Sequence, residues 1–142
     1  MAVRKIWRLL VVFVIGVAAF AVAITRLNQP PFSACQQTPP TDPSYSATLV
    51  EDPSVTLTRY HFRISKDGAP VSGARVCMRA DMGGAGGMSG MGLAEVAVEV
   101  GPGNYEVPVR FVMGGFWRGS VVIEPPTGQV VGVPIQLDVQ TI

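Results

Sequence analysis

The chain has 142 residues, enough for one domain with a hydrophobic core, and 48% of its residues are hydrophobic. Residues 27 to 142 carry seven basic and ten acidic side chains, which gives this part a net charge of −3. That charge argues against a nucleic-acid-binding protein and against a basic patch for anionic lipids.

The first predicted element is a membrane-spanning helix. Residues 9 to 25 read LLVVFVIGVAAFAVAIT and contain no charged side chain. A helix of this length extends about 25 Å, and interfacial Trp7 with the flanking Arg8 and Arg26 lengthens the span toward the roughly 30 Å hydrocarbon core. Three basic residues precede the span and one follows it closely, so we expect a single-pass inner-membrane protein with a cytoplasmic N-terminus and an extracytoplasmic C-terminal domain.

Two other interpretations of the N-terminal segment stay open. Ala21 to Ala23 fit the small-x-small pattern of a cleaved signal peptide. The residues before Cys35 partly match a lipoprotein site, although they stand apart from the apolar run. All three interpretations export the domain.

Small side chains on the predicted span favour close packing against other transmembrane helices. Gly16, Ala19 and Ala23 are the candidate partner-binding residues there. The partners expected are therefore the bilayer and other subunits of a membrane complex, and no nucleic acid.

Three segments are predicted along the chain. Residues 1 to 26 form the transmembrane anchor or signal peptide, residues 27 to 45 a proline-rich tether, and residues 46 to 142 a β-sandwich domain. Prolines in the second segment disfavour a helix and favour an extended conformation.

The third segment predicts an all-β fold. Valine-rich stretches alternate with Gly- and Pro-containing turns at the spacing typical of a β-sandwich. Seven strands are predicted, which favours an immunoglobulin-like architecture: residues 47–50, 55–64, 74–80, 93–100, 104–112, 116–124 and 130–139.

Alternating apolar residues predict which side chains face the core, because successive side chains of a strand point to opposite faces. The strand at 55–64 changes phase near Arg59, where we expect a bulge, and Pro134 marks the last strand as an edge strand. The predicted inward residues are Val76, Met78, Ala80, Met82, Val96, Val98, Val100, Tyr105, Val107, Val109, Phe111, Met113, Trp117, Val121, Ile123, Val131, Val133, Ile135, Leu137 and Val139.

Cys35 and Cys77 are predicted to form a disulfide, because an exported chain with two cysteines favours one bond. Cys77 takes the outward phase of its strand, where Cys35 reaches it if the tether folds back. Closing a loop of about 40 residues stabilises a domain by roughly 4 kcal/mol in the chain-entropy model. The alternative is a copper-binding or redox cysteine pair, although a C-x-x-C spacing is absent.

A glycine-rich loop with methionines is the candidate functional site. The stretch MGGAGGMSGMG starts at Met82 and holds Met88 and Met91 in an M-x-x-M spacing, while Met113 ends a strand at what we expect to be the same edge. Thioethers are soft donors that suit Cu(I). The other interpretations are a partner contact made by Met88 and Met91, and a plain loop.

The single histidine, His61, is predicted to be a solvated strand residue. Arg59 and Arg63 share its strand face, and two positive charges disfavour protonation of an imidazole.

Two sequence blocks resemble a known family. KDGAPVSGARVCMRADM, followed by the Gly/Met loop, and GPGNYEVPVRFVMGGFWRGSVVI are similar to the YtkA-like domain and the related FixH proteins, over residues 55 to 124. The resemblance implies an exported immunoglobulin-like domain on one transmembrane helix, linked to haem-copper oxidase biogenesis or copper handling. The family pattern falls on Met82, Met88, Met91, Met113 and Trp117. The family's Pro after the first Met and the His that closes its loop are missing here.

Two functions are expected from these observations, and neither is enzymatic, since no catalytic constellation is apparent. The favoured one is an accessory or assembly subunit of a membrane complex of the respiratory haem-copper oxidase type, docking through its sandwich and Met/Gly loop. The alternative is a module that binds or delivers Cu(I) through the loop methionines.

Overall fold

A computed structural model describes residues 33–83 and 92–141. The chain divides into two compact units, Met1–Pro31 and Phe32–Ile142, and every described residue belongs to the second. Within the described ranges, no helix has the length and apolar character needed to cross a membrane. The predicted span, with Gly16, Ala19 and Ala23, lies outside those ranges, so the anchor and the three segment boundaries stay predictions.

The described part of the chain folds into one short 3₁₀ helix, Ser33–Gln36, and eight strands. The strands are β1 (Tyr45–Leu49), β2 (Tyr60–Lys66), β3 (Ala69–Pro70), β4 (Arg75–Asp81), β5 (Gly92–Gly101), β6 (Asn104–Val107), β7 (Gly115–Glu124) and β8 (Val131–Val139). The prediction of seven strands missed β3, which pairs with the end of β2. The turn between them uses Asp67 and Gly68, whose φ values of 50° and 81° are both positive.

The all-β prediction is confirmed, and the named strands pair antiparallel in the order β1-β2-β6-β5-β4-β7-β8, with β3 also on β2. The first half of β5 pairs with β4 and its second half with β6, so β5 joins strands β1, β2 and β6 to strands β4, β7 and β8. A parallel bridge between Ser54 and Gln140 brings the chain after β1 to the end of β8. The sheet is therefore nearly closed.

One hydrophobic core lies inside the sheet. The alternation predicted for residues 105–111, 117–123 and 131–139 is confirmed, because these inward side chains belong to a single cluster of buried or half-buried residues. Tyr60, Phe62 and Ile64 of β2 join them, as do Val76, Met78 and Ala80 of β4. Pro134 lies on β8, which is the last strand of the sheet, as expected for an edge strand.

The prediction of which β5 side chains face the core is wrong. Val96, Val98 and Val100 are between 50% and 65% exposed, whereas Ala97 is buried. The register explains this, because Ala97 lies opposite Val76 and Val96 opposite Cys77. Paired residues share a face, so β4 sets the phase of β5. Alternation alone shows a period of two without showing which set faces inward.

Two predicted strands are shorter than expected. β2 begins at Tyr60, so the phase change near Arg59 marks the start of the strand and the predicted bulge is absent there. The strand that starts at Asn104 ends at Val107, because Pro108 has no N–H to donate to a ladder. Between the described strands, the register is irregular between Glu99 and Gly101 of β5.

Candidate functional site

Cys35 and Cys77 form the predicted disulfide, which links residues 42 positions apart. Cys77 faces away from the main core, yet it is fully buried, because it packs with Cys35 and Val122 in a small separate cluster. Both cysteines are therefore committed to a structural bond in this state, which disfavours the alternative of a copper-binding thiol pair.

The chain that follows Cys35 lies along the outer face of β4, β7 and β8. The guanidinium of Arg79 donates to the carbonyl of Gln37, and the N–H of Gly132 donates to the carbonyl of Pro40 at 2.9 Å. A Cβ atom on Gly132 would lie 3.1 Å from the ring of Pro39, so the glycine allows this close approach. Residues 33 to 40 thus cover the buried Cys77.

Met82 and Met113 lie at the same end of the domain. Met82 follows β4 and packs half-buried against the core, as does Met113. The methyl carbon of Met82 lies beside Gly115, where an added Cβ would be 3.1 Å away. We call this end of the domain, formed by Met82, the segment 111–117 and the ends of β4 and β8, the methionine end.

Two glycines shape the turn between Met113 and β7. Gly115 has a φ of +127°, a conformation that L-residues rarely adopt. A Cβ on Gly114 would lie 2.9 Å from the carbonyl oxygen of Val139, so the chain passes β8 at close range there. Gly114 and Gly115 therefore allow the turn that brings Met113 against the sheet.

Trp117 supports this turn from inside the core. Its indole N–H donates to the main-chain carbonyl of Met113 at 3.3 Å, and its ring meets Phe111 edge-on with centroids 5.1 Å apart. Phe111 meets Tyr60 in the same manner at 5.5 Å. Trp117 is thus a positioning residue, as its buried location predicts.

Val112 and Phe116 are exposed apolar residues beside the two methionines. Val112 is 73% exposed and Phe116 is 48% exposed, and the guanidinium carbon of Arg118 lies 5.3 Å from the Phe116 ring. Neither residue is among the predicted site residues. A signal for them existed, because each is an apolar residue in the outward phase of an alternating stretch.

Met88 and Met91 lie outside the described residues. The chain leaves the described part at Gly83 and re-enters at Gly92, which pairs with Asp81. The structure therefore places Met82 against the turn that follows Met113, and the role predicted for Met88 and Met91 stays a prediction.

The thioethers at the methionine end are donors that fit a soft metal. Among the described residues, no group of three or more His, Cys, Asp or Glu side chains is arranged to hold a metal ion. Met82 and Met113 contribute neutral thioethers, which suit Cu(I). A copper ion at this end would therefore be held by these two residues, with Met88 and Met91 as the further predicted ligands.

His61 differs from its prediction, because acidic residues and not arginines surround its ring. Its Nδ1 lies 2.5 Å from Glu51 Oε1, and its Nε2 lies 3.3 Å from Glu106 Oε2. Arg59 is bound to Glu106 at 3.0 Å. The hydrogen bond to Glu51 is the main cause that raises the pKa of His61. The sequence analysis missed Glu51 because it lies ten residues away, across a hairpin whose register the sequence does not reveal.

The carboxyl group of Glu51 is correspondingly stabilised as an anion. Its partial burial favours the neutral form, but hydrogen bonds from the main-chain N–H and the ring of His61 outweigh this and lower the pKa of Glu51.

The chain was compared with known proteins. Searches of curated proteins and of solved structures give no match. A family model described as YtkA-like matches residues 41–122, which is more than half of the chain. The matched region runs from before β1 into β7 and includes Cys77, Met82, Met113 and Trp117. The chain belongs to the YtkA-like family.

Proposed function

We propose that this protein is a membrane-anchored, extracytoplasmic accessory or assembly subunit of a membrane complex, of the respiratory haem-copper oxidase type. It binds its partner through the methionine end. The observation that carries this proposal is the group of apolar residues there: exposed Val112 and Phe116 lie on the same short segment as half-buried Met113, and Met82 lies against Gly115 of that segment.

This group has the composition of an interface. Single exposed apolar residues are common on soluble domains, whereas adjoining ones indicate a binding surface. Methionine, aromatic residues and arginine are enriched at protein interfaces, and Arg118 lies beside Phe116 here. The absence of a predicted catalytic constellation favours a binding role over an enzymatic one.

Export and anchorage are part of the proposal. The uncharged run at residues 9 to 25, with basic residues on both sides, supports a span with the domain on the outer side of the membrane. The disulfide between Cys35 and Cys77 agrees with an oxidising compartment. We also infer that the two antiparallel layers are a variant of the immunoglobulin-like architecture, as the family resemblance implies.

Replacement of the exposed apolar pair tests the docking role. The full-length protein is expressed in the cells from which it comes and is purified from their membranes in mild detergent. Subunits that co-purify with it are identified by mass spectrometry. We expect a haem-copper oxidase subunit with the unmodified chain and its loss with Val112→Ser/Phe116→Ser. The matched control is Val98→Ser/Val100→Ser, which removes two exposed valines from the outer face of β5. Equal recovery from both double variants would exclude the methionine end as the docking surface.

A second function, Cu(I) binding or delivery, is supported by one observation. Met82 and Met113 lie half-buried at the same end of the domain, and Met82 precedes Met88 and Met91 in the sequence. Partial burial shields such ligands from water while leaving them accessible.

Competition with a chromogenic Cu(I) chelator separates the two functions. If copper is the ligand, affinity falls when Met82 and Met113 are each changed to Leu, and it is unaffected by Met78→Leu, a buried methionine that faces only the core. Copper binding that survives Met82→Leu/Met113→Leu would exclude these two thioethers as ligands.

A further inference from the structure

Glu51 holds His61 at two points. One carboxylate oxygen, Oε2, accepts the main-chain N–H of His61 at 2.7 Å, and the other, Oε1, lies 2.5 Å from ring Nδ1. The opposite ring nitrogen faces Glu106 of β6. The imidazole therefore lies between two carboxylates that belong to different parts of the chain, and only its protonated form donates to both.

The segment held by Glu51 closes the sheet. It begins where the N–H of Val50 donates to the carbonyl of His61 at 2.9 Å. Further along, the N–H of Gln140 donates to the carbonyl of Pro53 and the N–H of Val55 donates to the carbonyl of Gln140. Residues 50 to 55 thus join β1 to the end of β8, the edge at which the sheet would otherwise open.

Tyr60 ties the same segment to the core. Its hydroxyl donates to the carbonyl of Ser54 at 2.6 Å and accepts the N–H of Ser54 at 3.2 Å. Its ring meets Phe111, which meets Trp117. The position of residues 50 to 55 is therefore coupled by direct contacts to the methionine end.

Charged groups from three neighbouring parts of the chain lie around His61. The connection after β1 contributes Glu51, with Asp52 next to it, and β6 contributes Glu106. Just before β2, Arg59 binds Glu106, and on β2 Arg63 lies two residues from His61 in the same phase. Both direct ring contacts are thus acidic, and Arg59 is paired with one of those acids.

We propose that Glu51, His61 and Glu106 form a proton-dependent latch that keeps residues 50 to 55 across the edge between β1 and β8. The latch holds while His61 is protonated and loosens when the imidazole is neutral. This inference goes beyond the proposed docking role and does not depend on it.

The direction of the pH dependence follows from the linkage between proton binding by His61 and closure of the latch. A histidine whose pKa is higher in the closed state than in the open state stabilises the closed state fully below the open-state pKa, and this stabilisation is lost as the pH rises through the closed-state value. Because contact with Glu51 raises the pKa of His61, we expect the latch to weaken from about pH 6.5 upward.

Amide hydrogen exchange of the full-length protein in detergent, measured at a series of pH values and corrected for intrinsic rates, tests the latch. We expect the protection factors of the His61, Val55 and Gln140 amides to fall by about tenfold for each unit by which closure raises the pKa of His61. The Gly132 amide, which donates to Pro40 at the opposite end of β8, is the internal control and should not change in the same window. Protection factors that are independent of pH at all four amides would overturn the proposal.

Two variants identify the titrating group. His61→Gln keeps an amide donor toward Glu51 but cannot be charged, so we expect its protection factors to be independent of pH in this window. Glu51→Gln removes the negative charge with little change in shape, so we expect a smaller pH-dependent fall. An undiminished pH dependence in His61→Gln would show that another group titrates and would overturn the proposal, whatever the behaviour of Glu51→Gln.

Discussion

Trp117 donates a hydrogen bond from its indole Nε1 to the main-chain carbonyl of Met113 at 3.3 Å. This bond connects the buried aromatic residues to the turn that presents the apolar residues of the methionine end. The side chain of Trp117 is 2% exposed, so its only polar atom needs an internal partner. The hydrogen bond therefore both satisfies the indole and fixes the turn.

We expect Trp117→Phe to lower the free energy of unfolding by about 2 kcal/mol, because it leaves a cavity and removes the hydrogen bond to Met113. Urea denaturation followed by circular dichroism measures this change. Phe116→Leu is the matched control, since Phe116 is a neighbouring aromatic residue with a largely exposed side chain, and we expect a change within about 0.5 kcal/mol. Similar losses in both variants would contradict a special role for Trp117.

The turn itself is tested at Gly114. A Cβ atom there would lie 2.9 Å from the carbonyl oxygen of Val139, which is part of a strand and has little freedom to move. We expect Gly114→Ala to destabilise the protein by about 1 to 3 kcal/mol through this overlap. At Gly101 the nearest atom to an added Cβ is a side-chain nitrogen of Asn104 at 3.7 Å, an ordinary contact. Gly101→Ala is thus a control that should unfold at nearly the urea concentration of the unmodified protein.

The disulfide makes a separate contribution to stability. Removal of a bond that closes a loop of this length costs roughly 4 kcal/mol in the chain-entropy model. We expect Cys35→Ala/Cys77→Ala to melt well below the unmodified protein and to show no further response to reductant. If the melting temperature of the oxidised, unmodified protein matches that of the double variant, the bond contributes nothing to stability.

Because of the Glu51–His61 pair, we expect the free energy of unfolding to be greatest at intermediate pH. The raised pKa of His61 means that its contribution is present at low pH and is lost as the pH rises through that value. The lowered pKa of Glu51 means that its contribution is present above its ordinary value of 4.5 and is lost as the pH falls through the lowered value. The urea concentration at the unfolding midpoint, measured across pH, should therefore peak between the pKa of Glu51 and the pKa of His61. The decline on the alkaline side should be absent in His61→Gln.

The sequence predicts the core residues well in stretches where apolar residues alternate with polar ones. Tyr105, Val107, Val109 and Phe111 alternate with Glu106 and Arg110, and all four are buried. The disulfide was predictable because an exported chain with two cysteines leaves one pairing. In both cases local sequence carries the information.

The sequence does not predict features that depend on strand register. The β5 valines alternate just as clearly as the residues of β6, but pairing with β4 turns them outward. Glu51 reaches His61 because β1 and β2 form a hairpin whose pairing the residue order does not specify. Val112 and Phe116 differ from these cases, because the inward phase predicted for Met113 and Trp117 already places both of them outward.

Site-specific photocrosslinking in native membranes tests the central claim, docking through the methionine end, most directly. A photoreactive phenylalanine analogue replaces Phe116 in the full-length protein, and the same analogue at Val98 serves as the control, since both side chains are exposed and apolar. The account predicts a crosslink from position 116 to an integral subunit of a haem-copper oxidase complex, and none from position 98. A crosslink to that subunit from position 98 and not from position 116 would contradict it.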